Sequence, residues 1–211
     1  MLGGERWSLR WSLFGLVVLQ FLSLVSCASS VGMSPDDSGG PNTGESLVAA
    51  RVITVLLERP GRMYDPSLIF FELQHEATGE RFRVDVENAD KVVVFQVPPG
   101  SYQVTRVQIG EGPFRSMANL ALEFQVEGGR PVYLGTWRIG VESPRSDRKV
   151  LISTVNGSPE QDKDLGVVMT EYPEVTAQDF RVAALTPPET EARLYEVMPY
   201  PRYQPYFRRH W

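Results

Sequence analysis

Leu120-Ala121-Leu122-Glu123-Phe124-Gln125-Val126-Glu127-Gly128-Gly129-Arg130-Pro131-Val132-Tyr133 is the stretch that decides the fold class. Leu120, Leu122, Phe124 and Val126 alternate with Ala121, Glu123 and Gln125, the period of two that sets one face of a β-strand on a core and the other in water. Gly128-Gly129 then parts this run from a second. Two glycines between strand patterns predict a two-residue hairpin loop, because each tolerates positive φ. The returning strand is expected to hold Tyr133, Gly135, Trp137, Ile139 and Val141 on one face.

The same alternation extends outward in both directions. Val48–Leu57 is an apolar run, and Ser67–Gln74 contains an unbroken Leu68-Ile69-Phe70-Phe71, which predicts a strand covered on both faces. Glu80–Val86 alternates, so Thr78-Gly79 reads as the tip of a hairpin. Val92–Val97 is too β-branched for a helix. In Val97-Pro98-Pro99-Gly100-Ser101-Tyr102 a proline presets φ and a glycine takes the positive φ of a type II turn, so the chain reverses there. Tyr102 and Val104 fall out of phase with Val107 and Ile109, and a β-bulge near Thr105-Arg106 restores the inward face. Lys149–Val155 supplies an eighth run. The expectation is a mainly β protein, a seven- to eight-stranded antiparallel β-sandwich with one short helix after the strands.

That helix is expected to start at Ser158 as cap, with Pro159 in the first turn and Gln161 completing a capping box. Leu165, Val168, Met169 and Tyr172 form its apolar stripe, and Pro173 stops it. Between residues 174 and 192, a helical turn around Gln178–Leu185 is the reading. The acidic Glu160, Asp162 and Asp164 are accounted for by the helix dipole.

Composition narrows the chemistry. The chain has 211 residues, 42% hydrophobic and 22% charged, with a net charge of −5, which argues against a general nucleic-acid binder. One cysteine makes no internal disulfide, and one cysteine with two histidines falls short of the four ligands of a structural zinc site.

The single cysteine is informative by position. Arg6 and Arg10 precede an apolar run from Trp11 to Val25, too short for a membrane span of about 20 residues but suited to a signal peptide. The run ends in Leu24-Val25-Ser26-Cys27, which resembles the lipobox of bacterial lipoproteins. The resemblance implies cleavage before Cys27, acylation of its thiol and amino terminus, and a membrane anchor without a span. Ala28-Ser29 lacks the aspartate that the family uses for inner-membrane retention. The implied address is therefore the outer membrane of a Gram-negative bacterium; in a Gram-positive host the plasma membrane takes its place.

The expected organisation is a signal peptide over 1–26, a lipidated terminus and flexible tether over 27–46, a β-sandwich over 47–157, a helix and strap over 158–192, and a tail over 193–211. A coil of the tether's length reaches about 25 Å and would lift the domain off the bilayer. Val97-Pro98-Pro99-Gly100-Ser101-Tyr102-Gln103-Val104 resembles a turn-and-strand motif of prealbumin-like, carboxypeptidase regulatory-like sandwiches. Val132-Tyr133-Leu134-Gly135-Thr136 is similar to a strand of uncharacterised lipoproteins with such domains. The resemblance implies a non-catalytic module.

Catalytic candidates are sparse. His75 reads as a solvated turn histidine, and His210 sits one residue from the end; neither has a nucleophile motif beside it. Asp85, Glu87 and Asp90 form an acidic loop, and Asp162-Lys163-Asp164-Leu165-Gly166 lacks the closing glutamate of a calcium loop. Asn156-Gly157-Ser158 reads as a turn. No catalytic residue, metal or cofactor is expected.

The tail carries four arginines against one glutamate, with six aromatics. Tyr200, Arg202, Tyr203, Tyr206, Phe207, Arg208, Arg209 and Trp211 are residue types enriched at interface hot spots. This tail is read as a strap over a sheet edge, or as a contact for an envelope protein, a glycan or lipid headgroups. The functional expectation is a lipid-anchored envelope protein that binds or supports, with no nucleic-acid partner. The alternatives are a cell-envelope hydrolase acting on glycan or peptide, and a subunit of an envelope secretion or transport assembly.

Overall fold

The computed structural model describes residues 31–33, 44–57, 64–86, 91–142, 147–157 and 160–197. Two sheets dominate it. Sheet A runs in the order β1 (Val31–Met33), β4 (Arg81–Asp85), β3 (Ser67–His75), β6 (Gly100–Glu111), β7 (Phe114–Val126), β12 (Tyr195–Glu196). Sheet B runs β11 (Glu189–Arg193), β9 (Lys149–Val155), β8 (Val132–Val141), β2 (Ser46–Leu56), β5 (Val92–Val97), with β10 (Arg181–Val182) beside the start of β8.

Their inner faces form one core. Phe71 of sheet A meets Phe95 and Trp137 of sheet B at ring-centre distances of 5.7 and 5.1 Å. Val104, Leu122, Ile139 and Ile152 fill in around them, fully buried. The sheets thus make a two-layer, sandwich-like arrangement in which the long strands turn alternate side chains inward, apart from local bulges.

The eight long strands, β2 to β9, fall where the apolar runs do. The predicted hairpin at Thr78-Gly79 joins β3 to β4, with Gln74 opposite Arg81. The predicted bulge is present too: the β6–β7 register slips between Val104 and Arg106, so Tyr102, Val104, Val107 and Ile109 all point inward.

Other expectations are corrected. Gly128-Gly129 closes no hairpin: β7 and β8 lie in different sheets, and the segment between them carries the chain from one to the other. The arrangement is not wholly antiparallel, since β2 runs parallel to β8 along its length. Four short strands, β1, β10, β11 and β12, bring the total above eight. Residues 174–192 form no helical turn around Gln178–Leu185; they supply β10 and most of β11 instead.

Tyr133 also breaks from its predicted face. Two residues of β8, Leu134 and Gly135, stand opposite Ala50 alone, which shifts the register between Tyr133 and Thr136. Gly135 has φ +76°, and a Cβ there would press on Asn156 and the Val155 carbonyl. Only glycine fits this bulge. Its effect is to aim Leu134 and Trp137 into the main core while Tyr133 turns to the outer face of sheet B.

That outer face is partly covered by α1 (Gln161–Glu171), which lays Leu165, Val168 and then Tyr172 on Leu47, Ala49, Val94 and Tyr133. The helix starts later than expected, with Glu160 in the cap position and no side-chain cap; Ser158 and Pro159 lie outside the described residues. Met169, predicted for the stripe, is only half-buried. After α1 the chain turns back along the open edge of the molecule. β11 pairs with β9 of sheet B, Leu194 is buried, and β12 pairs with β7 of sheet A.

Candidate functional site

Among the described residues, three buried polar clusters, together with surface grooves, are places where chemistry could reside. The first cluster lies under α1. Asp164 is 0% exposed, receives Arg51 Nε at 2.7 Å on Oδ1, and accepts the Tyr133 hydroxyl at 2.7 Å on Oδ2. A buried carboxylate is costly unless paired and hydrogen-bonded, and here each oxygen has a donor. The hydrogen bond to Asp164 raises the Arg51 pKa. Burial, then the same carboxylate, pushes the Tyr133 phenol far above its ordinary range. Asp164 is therefore more than a dipole partner: it is the fixed point on which the helix sits.

The second cluster spans the sheets. Arg148, ahead of β9, places Nη2 2.7 Å from Glu111 Oε2 at the end of β6, and both side chains are buried. Arg148 Nε also donates to the Glu142 carbonyl at 3.0 Å, and the Arg148 carbonyl accepts from the Leu194 amide at 2.7 Å. This pair ties sheet A, sheet B and the C-terminal segment at one end of the molecule.

The third cluster is at the opposite end. His75, expected to be solvated, is 9% exposed. Its Nδ1 accepts the backbone amides of Ala77 and Thr78 at 3.2 and 3.3 Å, which leaves Nε2 facing the Pro99 carbonyl at 3.4 Å. The ring stands edge-on to Tyr102, whose hydroxyl donates to the Pro98 carbonyl at 2.6 Å. Burial raises the Tyr102 pKa as well. Gly100, at φ +155°, brings its backbone so close that a Cβ would overlap the imidazole. His75 here packs and caps a turn, and every polar atom of the ring is committed.

Two open grooves flank the ion pair of Arg181 with Glu127 at this same end. One, of about 640 Å³, is lined by Leu47, Arg130, Val175, Asp179 and Phe180 among others. The other, of about 400 Å³, runs along Ser101, Glu123, Gln125 and Ala183. In the first, the Asp179 carboxyl is held below its usual range, chiefly by the Thr176 hydroxyl at 2.6 Å, then by the Thr176 amide and the charge of Arg130. Mixed charges with one aromatic suit a polar, extended ligand more than an apolar small molecule.

Of the residues singled out in the sequence, Asp85 lies on the outer face of sheet A and takes Arg83 Nε at 2.9 Å. Asp162 is exposed on the first turn of α1, and Glu160 stands at its cap position without a side-chain cap. The structure brings none of these together with His75. Glu87, Asp90, His210, Cys27 and the tail residues Tyr200, Arg202, Tyr203, Tyr206, Phe207, Arg208, Arg209 and Trp211 lie outside the described residues. Among the described residues no three His, Cys, Asp or Glu side chains gather as a metal site, and no helix is long and apolar enough to cross a membrane.

Sequence reading missed the Arg51–Asp164–Tyr133 cluster. Its only trace is Asp164 standing directly before Leu165, a residue of the apolar stripe. Compared with family models, with curated proteins and with solved structures, the chain matches none.

Proposed function

We propose that this chain is a lipoprotein of the bacterial cell envelope, held through acylated Cys27 to the outer membrane on its periplasmic side, and that it binds or supports rather than catalyses. The observation that carries the reading is Leu24-Val25-Ser26-Cys27, with the chain's only cysteine at the end of its apolar leader. The packing supports the non-catalytic part. Among the described residues, the buried side chains of Asp164, Glu111 and His75 make structural contacts, whereas an active base or nucleophile must turn toward substrate. The two-sheet architecture and the Pro98–Gly100 turn leading into Tyr102 favour the prealbumin-like resemblance.

The Tyr200–Trp211 segment is proposed as the surface that meets an envelope protein or a glycan. Cys27→Ala tests the anchor: the variant should accumulate as an unprocessed precursor without acyl label, and normal processing ends the lipoprotein reading. Truncation after Val197 tests the contact. Recovery from detergent-solubilised membranes should lose co-purifying partners while the melting temperature stays unchanged, because the described strands all remain.

A further inference from the structure

The stretch expected to be a free tether contains β1. Val31, Gly32 and Met33 pair in parallel with Phe82, Arg83 and Val84 of β4, at the edge of sheet A. The direction of this pairing is what matters. β4 starts just after the β3–β4 hairpin, and β1 runs the same way, so the chain enters β1 from the hairpin end of the sandwich. Only three residues separate Cys27 from Val31. At an extended rise of at most about 3.6 Å per residue, Cys27 lies within about 14 Å of Val31.

Sheet A is far taller than that. The 13 residues of β7 span about 43 Å at about 3.3 Å each. Resting on the lipidation reading above, we propose that the protein sits on the bilayer in one orientation, with the β3–β4 hairpin end toward the lipid and the β6–β7 hairpin at Gly112-Pro113 away from it. The partner is a lipid surface. Proximity comes from the short covalent link and the β1–β4 pairing, not from headgroup attraction, because this end carries Glu45, Glu76, Glu80, Glu127, Glu174 and Asp179 against Arg81, Arg130 and Arg181. The two grooves beside Arg181 lie at this end, and so on the membrane side of the molecule.

Energy transfer tests this on the full, acylated chain in phosphatidylcholine vesicles containing an acceptor-labelled lipid. With the Cys27 thiol acylated, a cysteine introduced at Thr78 or at Asp65 takes a donor dye alone. Thr78 is at the hairpin tip and Asp65 lies ahead of β3 at the opposite end; both are exposed. Transfer from the Thr78 label should be at least twofold that from the Asp65 label. Gly32→Pro removes a backbone donor from β1, releases its pairing with β4, and should bring the two signals together. Equal transfer in the otherwise unaltered chain, with the acyl chains verified by mass, overturns the orientation and leaves the anchor standing. An unchanged difference in Gly32→Pro also overturns it. A purified chain that carries no acyl group overturns the anchor, and the orientation with it.

Discussion

The interior between the sheets and the patch beneath α1 both exclude water, but by opposite means. Between the sheets, Phe71, Phe95, Trp137 and their neighbours pack with almost no polar content. Beneath the helix, a few apolar side chains surround a fully buried carboxylate. The large core holds itself by area alone, at roughly 25 cal/mol per Å² of apolar surface removed from water. The helix offers only Leu165, Val168 and Asp164 as fully buried residues, too few to define its seat by shape. The Arg51–Asp164–Tyr133 contacts supply the register that the apolar stripe lacks, a use of buried polar groups known from helical assemblies.

Breaking the large core should cost most. Trp137→Ala should lower the unfolding free energy by about 4 kcal/mol, read from urea denaturation, with both sheets lost together. A loss under 1 kcal/mol would mean that the interior is not the shared core described here. Asp164→Ala comes next, at about 3 kcal/mol, since it removes the buried carboxylate that takes both Arg51 and the Tyr133 hydroxyl. Hydrogen exchange should then rise in α1 before it rises in β6 or β7. If the whole molecule opens at once, helix and core are one cooperative unit and the contrast fails.

Tyr133→Phe should cost about 1 kcal/mol by removing one hydrogen bond. The phenols of Tyr102 and Tyr133 add a pH test. Burial raises their pKa in the folded state, so their contribution to stability is complete below the unfolded value of about 10 and is lost as pH climbs above it. Unfolding free energy should fall as pH rises past that value, and phenolate absorbance from these two rings should appear only with unfolding. Their ionisation near pH 10 in an intact fold would refute the burial argument. Smallest of all, Lys149→Ala removes an exposed 2.5 Å contact with Glu191 and should leave stability unchanged within error.

The same contrast explains what was legible in the sequence. Alternation, the Thr78-Gly79 turn and the Thr105-Arg106 phase break are local, and local rules read them. Gly128-Gly129 looked like a hairpin because loop chemistry does not say which sheet the next strand will join. The parallel pairing of β2 with β8 depends on residues about 85 apart, beyond any periodicity argument. Tyr133 and Asp164 stayed hidden for a joint reason: the Gly135 bulge turns the tyrosine over, and the carboxylate makes sense only against that turned face. His75 was misjudged because its partners are backbone amides, which leave no trace in side-chain pattern.

The pairing of β11 with β9 and of β12 with β7 has a consequence for the order in which the protein is made. Residues 189–196 border both sheets, pairing with β9 and β7, and they follow all eight long strands in sequence. During synthesis, which proceeds at about 5–20 residues per second, neither sheet has its final border until this segment emerges. Completion of both sheets therefore waits for residues 189–196, after every long strand of either sheet has already been made.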